Sequence, residues 1–250
     1  MIDLHKKKVV ATIEARMTSS RLPGKVLLPV LGEPILMHLV RRLKAVPSID
    51  AIVVATTINS SDDPIVEFAK EADVLCFRGS EDDVLARVIG AGELAHAEVL
   101  VEITGDCPII DPDLVEQTIR MFLNHSVQYA SNSVVRSYPD GMDTQVINFE
   151  SLKSSALMTN DPLDREHVSR FIWKNPDIFS CVQLIAPPSL HWPGLGLTLD
   201  EESDYLLLMK IIEALSPDNP LFSCQDVINF LRACPNLLEI NKAVVRKGDS

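Results

Sequence analysis

The stretch Val9-Val10-Ala11-Thr12-Ile13-Glu14-Ala15-Arg16-Met17-Thr18-Ser19-Ser20-Arg21-Leu22-Pro23-Gly24-Lys25 decides the fold. Val9 to Ala15 is β-rich and follows a charged start, as a buried strand does. Met17 to Lys25 has turn chemistry, with Pro23-Gly24 near its end. From Pro34 the pattern changes: Ile35, Leu36, Leu39, Val40 and Leu43 recur at helical spacing, with Arg41, Arg42 and Lys44 between them. Pro34 suits the first helical turn, where its missing N–H costs nothing. Strand, loop and helix in this order begin a βα unit.

The unit repeats downstream. Ile52 to Thr56 reads as a second strand, and Asp63-Pro64 as a helix N-cap followed by the first helical residue. Val74 to Phe77 is a third strand, followed by a helix from about Val84 to Ala95. Val99 to Ile103 is a fourth, and Asp111-Pro112 caps the helix after it. Strands alternating with helices from Val9 to Phe122 predict an α/β protein with a mostly parallel, Rossmann-like sheet covered by helices on both faces. The second half is less regular. It shows a strand near Val146, helices over Ser151–Met158 and Asp164–Trp173, strands over Phe179–Ile185 and Gly196–Leu199, and helices from Glu201 and Ser223. No repeat and no Pro/Gly/Ser linker separates the halves, so residues 1–246 are expected to form a single domain, with 247–250 a short tail.

Composition narrows the function. Apolar residues make up 46%, ample for a large core, and aromatics only 5%, so that core is mostly Val, Ile and Leu. The net charge of −12 argues against a broad polyanion-binding face and hence against nucleic acid as a partner. A local basic cluster can still hold a small anion. Cys76, Cys107, Cys181, Cys224 and Cys234 are odd in number and widely spaced, with no C-x-x-C pair. Reduced thiols in the cytosol are expected, without a disulfide framework or a zinc knuckle. The apolar run after Lys6–Lys8 is too short for a signal-peptide core, and nothing approaches the roughly 18 residues of a membrane span. The expectation is a soluble cytoplasmic protein with no membrane partner.

Four constellations carry candidate chemistry. Ala15 to Lys25 follows the first strand, and in open α/β sheets ligands bind beyond the carboxyl ends of the strands. Backbone N–H groups of such a loop can cradle phosphates, and Arg16, Arg21 and Lys25 can neutralise them. The loop lacks both G-x-x-x-x-G-K-[ST] and G-x-G-x-x-G, which speaks against a P-loop enzyme and a dinucleotide oxidoreductase. Its bland reading is a solvated basic loop. Thr104-Gly105-Asp106-Cys107-Pro108 places a carboxylate at the end of the fourth strand, a hard ligand of the kind that holds Mg²⁺ with substrate phosphates, or else a turn aspartate. Leu197 to Asp204 ends a strand in Asp200. Its bland reading is helix capping by Asp200, with Glu201 and Glu202 in the first turn. Arg78-Gly79-Ser80-Glu81-Asp82-Asp83-Val84-Leu85-Ala86-Arg87 lies at the mouth of the third strand, where it could touch base and ribose or merely start a capped helix of mixed charge. Together these pieces place phosphate cations, metal carboxylates and polar groups on one rim.

The segments ARMTSSRLPGK (15–25), VVATT (53–57), RGSEDDVLAR (78–87), TGDCPIIDPDLV (104–115), YPDGMD (138–143), REHV (165–168) and LTLDEESDY (197–205) resemble the cytidylyltransferase family. The type most similar is the spore-coat polysaccharide biosynthesis protein type, with acylneuraminate and 3-deoxy-manno-octulosonate cytidylyltransferases as more distant relatives. The resemblance covers roughly residues 8 to 210. It implies a nucleotide-diphospho-sugar transferase fold and a Mg²⁺-dependent transfer of CMP from CTP to a sugar acid or sugar phosphate, with release of pyrophosphate. It implies nucleotide binding by Ala15, Arg16, Arg21, Lys25, Arg78, Ser80, Asp83 and Thr104, with Arg16, Lys25 and Asp106 catalytic and Asp106 and Asp200 on the metal. The sugar side falls to Asp143, Gln145, Arg165, Glu166 and His167, which otherwise read as turn and helix-surface residues. Relatives of this type usually carry an acidic residue where this chain has Gln145, and they are often homodimers. GTP or UTP in place of CTP, and a non-catalytic sugar-nucleotide binding protein, are the competing readings.

Overall fold

The computed structural model describes residues 6–246. The tail expected at 247–250 and the residues before Lys6 lie outside the described residues. Strand β1 (Val9–Glu14) runs into the basic loop, followed by a two-stranded hairpin of β2 (Pro29–Val30) and β3 (Glu33–Pro34). Helix α1 (Ile35–Lys44), β4 (Ala51–Thr57), α2 (Asp63–Glu71), β5 (Leu75–Gly79), α3 (Val84–Leu94), β6 (Val99–Thr104) and α4 (Pro112–Asn124) continue the alternation. After them come β7 (Tyr129–Ser131), β8 (Gln145–Asn148), α5 (Phe149–Met158), α6 (Pro162–Glu166), α7 (Arg170–Lys174), β9 (Cys181–Gln183), α8 (Glu202–Leu215) and α9 (Cys224–Ala233).

Among the described residues the main sheet has seven strands in the order β5-β4-β1-β6-β8-β7-β9. The neighbours among β5, β4, β1 and β6 pair in parallel, β8 runs antiparallel to both β6 and β7, and β9 is parallel to β7. The strands alternate between two faces, as a period of two requires. Val9, Ala11 and Ile13 of β1 pack with Leu36, Leu39 and Leu43 of α1, Phe68 of α2, and Ile119 and Phe122 of α4. Val10 of β1 and Leu100 of β6 pack on the other face with Leu85, Val88 and Ala91 of α3, Leu152 of α5 and Ile172 of α7. A third apolar cluster joins Leu195, Leu197 and Leu199 to α8 and α9. No helix among the described residues is long and apolar enough to cross a membrane.

The structure departs from the sequence expectations in the second half. Gly196–Leu199 is not a strand; it makes one bridge, from Gly196 to Asp140, while its leucines are buried against the C-terminal helices. The helix expected over Asp164–Trp173 is broken into α6 and α7. The break at His167 buries Val168 and lets the Ser169 hydroxyl donate to Gln145 Oε1. Strand β7 is an addition, too short at three residues for a periodic signal. Two caps shift by one residue. Asp62, not Asp63, precedes α2, and Glu201, not Asp200, is the N-cap of α8, where it forms a capping box with Asp204. Asp200 is thereby released from the capping role that its bland reading assigned to it.

Candidate active site

The α3 side of the sheet turns polar toward the carboxyl ends of the parallel strands. Thr12 pairs with Glu102 and Glu14 with Thr104 across β1 and β6, and Glu102 pairs with Gln145 across β6 and β8. Residues paired in register project to the same face. Five polar side chains therefore stand side by side where apolar ones would otherwise continue the core. A cavity of about 850 Å³ opens over them, floored by Glu14, Glu102 and Gln145 and rimmed by Arg16, Arg21, Lys25, Asp106 and Asp200.

The basic loop is shaped by its own backbone and by one buried carboxylate. Asp62 Oδ1 accepts from the Met17 backbone N–H at 2.7 Å, and the Gly24 N–H donates to Met17 O at 2.8 Å. Gly24 has φ of +71°, the left-handed region where glycine has no Cβ penalty. The turn delivers Lys25 to the centre of the rim. Its ammonium lies 3.3 Å from Asp106 Oδ2 and 3.1 Å from Asp200 Oδ1. Arg21 Nη2 reaches the same Asp200 oxygen at 2.8 Å. Thr104 Oγ1 donates to Asp106 Oδ1 at 2.6 Å, and the Leu199 N–H donates to Asp106 O at 2.8 Å, so the two aspartate-bearing loops are stitched together. Arg16 stands more exposed, 3.5 Å from Glu81.

The floor is proton-rich. Burial pushes the Glu102 carboxyl up to about 8. Burial, and then the neighbouring Glu102 charge, raise Glu14 well above the usual carboxylate range. Gln145 is oriented by its partners: Oε1 accepts from the Tyr129 hydroxyl at 2.6 Å and from Ser169, so its Nε2 donates to Glu102 Oε2 at 3.0 Å. Asp143 also faces the cavity and is raised to about 7 by burial and then by Asp140. Arg87 of α3 also lines the cavity, with its Nη1 on Ser80 O. Its buried Nε has no hydrogen-bond partner among the described residues.

Of the residues singled out from sequence, Ala15, Arg16, Arg21, Lys25, Thr104, Asp106, Asp143, Gln145, Glu166, His167 and Asp200 all face this one cavity. Arg78, Ser80, Asp83 and Arg165 do not line it. The Arg78 guanidinium is taken up by Thr57 O, Asn59 O and Asp63. Asp83 caps α3 through the Ala86 N–H and pairs with Arg165, whose Nε lies 3.0 Å from Asp83 Oδ1. Ser80 accepts from the Asp83 N–H. Glu14, Glu102, Arg136, Arg170 and Lys174 line the cavity without having been singled out, whereas Arg87, at the end of the 78–87 segment, lines it although Arg78, Ser80 and Asp83 do not. The available signal was a carboxylate inside each of two apolar strands, at positions 14 and 102.

Cations and carboxylates are thus paired at the carboxyl rim of a mostly parallel sheet of the nucleotide-diphospho-sugar transferase fold. The chain belongs to the cytidylyltransferase family, whose model matches residues 10–220. It is 34% identical over 244 residues to an uncharacterized protein of Methanocaldococcus jannaschii, covering 96% of this chain and 97% of that one. It is 29% identical over 233 residues to the spore coat polysaccharide biosynthesis protein SpsF of Bacillus subtilis, covering 91% and 95%. A solved cytidylyltransferase from Leptospira borgpetersenii superposes with a TM-score of 0.89 at 29% identity, covering 96% of this chain and all of that one.

Proposed function

We propose that this enzyme transfers CMP from CTP to a sugar acid or sugar phosphate, with Mg²⁺ as cofactor and pyrophosphate as the second product. The observation that carries the proposal is the meeting of Lys25, Arg21, Asp106 and Asp200 at one point of the rim. The triphosphate would lie along the Arg16–Lys25 loop. The cavity floor and the α6–α7 side, with Asp143, Gln145, Glu166 and His167, would take the acceptor.

Asp106 Oδ2 and Asp200 Oδ1 fit a magnesium ion by their chemistry. Both are hard oxygens, and both lie within hydrogen-bond distance of one ammonium, so they already share a cationic neighbour. Among the described residues no group of three His, Cys, Asp or Glu side chains forms a metal site. Magnesium typically takes only one or two carboxylates and completes its shell with phosphate and water oxygens. Bound there, it would supply charge neutralisation at the phosphates.

In the transfer, an acceptor oxygen forms a bond to the α-phosphorus as the bond from that phosphorus to the bridging oxygen breaks. Pyrophosphate leaves with the electron pair, and where the acceptor is a hydroxyl its proton passes to solvent or to the departing pyrophosphate. Lys25 and Arg21 stabilise charge that grows on the leaving group, and the fixed loop aligns the reacting atoms. Pyrophosphate release should be measured with Mg²⁺, each of the four nucleoside triphosphates and a panel of sugar acids and sugar phosphates. Release that requires CTP and one acceptor class is expected. Release with another triphosphate only would overturn the base assignment.

A further inference from the structure

The segment from Asn241 to Arg246 carries no motif, yet it ends in the network behind the candidate site. Arg246 lies in a slot beside Gly196. A Cβ at position 196 would sit 1.8 Å from Arg246 Cζ and 2.1 Å from its Nη2. Gly196 is not among the positive-φ residues, so the guanidinium, and not the backbone, is what a side chain there would offend. In the slot Arg246 Nη2 lies 2.8 Å from Asp204 Oδ1, and Nε lies 3.5 Å from Asp140 Oδ2. Asn241 Nδ2 donates to the same Asp204 Oδ1 at 2.8 Å.

Asp204 is fully buried, and its second oxygen faces the other way. Oδ2 accepts from the backbone N–H of Asp200 at 3.1 Å and of Glu201 at 3.0 Å. One carboxylate thus joins the C-terminal segment to the backbone of Asp200. A second tie runs through Val245 O, which accepts from Arg21 Nη1 at 3.1 Å, while Arg21 Nη2 holds the Asp200 side chain.

We propose that Arg246 is a positioning residue of the active site that holds Asp200 through Asp204, with Asn241 and the Val245 carbonyl as its supports. This rests on the function proposed above, because it is Asp200's place on the rim that gives the tie its use. Without the guanidinium, Asp204 Oδ1 keeps only the Asn241 amide as a side-chain donor and the carboxylate is free to turn. Turning loosens the two N–H bonds that Oδ2 accepts and that fix Asp200. Loss of a group that orients a metal-binding carboxylate typically costs about 10–100-fold in metal affinity or activity.

The test compares Arg246→Ala, Arg246→Lys, Gly196→Ala and their Ala double variant, with Lys242→Ala as the control. Lys242 lies in the same stretch but is exposed, with its ammonium 3.2 Å from Glu239. Calorimetric titration of Mg²⁺ into protein with CTP, without acceptor, reads the site apart from turnover. We expect Arg246→Ala and Gly196→Ala each to weaken Mg²⁺ binding by about 10–100-fold. The double variant should be no worse than either single one, Arg246→Lys should recover part of the loss, and Lys242→Ala should match wild type. Wild-type Mg²⁺ binding in Arg246→Ala and Gly196→Ala overturns the proposal. So does a loss that vanishes at temperatures where thermal melts show every variant fully folded. If wild type binds Mg²⁺ and CTP but releases no pyrophosphate with any acceptor, the proposed transfer fails while the titration still decides the role of Arg246.

Discussion

Replacing Glu102 by glutamine should make the protein more stable, and increasingly so as pH rises through neutrality. Glu102 is 5% exposed, and its carboxyl is raised from 4.5 to about 8. It therefore holds its proton more tightly in the folded chain than in the unfolded one. Folding is favoured while the group is protonated in both states. The stability it subtracts grows from about pH 4.5 and levels off above about pH 8. Within that window the slope is about 1.4 kcal/mol per pH unit, so at neutral pH the loss amounts to roughly 3 kcal/mol as an upper value. Glutamine keeps the shape and can still accept the bond from Gln145 Nε2. It also relieves Glu14, whose proton affinity is raised in part by the Glu102 charge. Urea unfolding followed by circular dichroism, from about pH 5 to about pH 9, gives the difference between Glu102→Gln and wild type. That difference should be small at the acid end and grow with pH. A difference that does not change across the window, or a variant less stable throughout, refutes the account of the floor.

Three further outcomes follow from the rim. Lys25→Ala should keep the fold and lower CTP-dependent pyrophosphate release by about 10²–10³-fold, since a placed donor to the developing charge is lost; unchanged kinetics would make the loop mere surface. Arg78→Ala should cost about 1–2 kcal/mol in urea unfolding, because two backbone carbonyls lose a charged donor, and should leave the KM for nucleotide as it was; a raised KM would return Arg78 to the nucleotide site. Removing Mg²⁺ should weaken CTP binding as well as turnover, because Lys25 is held by both rim carboxylates in the ion-free chain; equal CTP affinity with and without Mg²⁺, by calorimetry, would contradict this.

The parallel half of the sheet was legible because each strand there is a short apolar run closed by a turn or a capped helix. Val9–Glu14 and Val99–Thr104 needed only local pattern. The second half depends on pairings that local pattern does not carry. Strand β8 enters between β6 and β7 with reversed direction, and its neighbours are set by packing, not propensity. Leu195, Leu197 and Leu199 alternate like a strand, yet all three are buried by α8 and α9. In the site, Asp106 and Asp200 could be read because each comes just after a buried strand or an apolar run, and Lys25 because it closes the basic loop that follows β1. Arg78, Ser80 and Asp83 also follow a strand, but β5 is the sheet edge, and their polar groups are satisfied by local partners or by Arg165.

The acid excess of the chain and the use of a polyanion proposed for it are reconciled at the rim. In that reading Lys25 and Arg21 are the cations that meet the triphosphate, and Asp106 and Asp200 pair with them. Such pairing orders long side chains in advance, which lowers the entropy lost on binding. It also sets a condition: an incoming phosphate must displace a carboxylate from each cation. That exchange is unfavourable for a bare anion, since it leaves two aspartates facing a further negative group. It becomes favourable when the anion brings its own cation for the aspartates. On the proposed function, the same four side chains would therefore select a metal-bound nucleotide over other small anions. Selectivity of that kind needs no broad basic face, which is why a chain of net charge −12 can carry it.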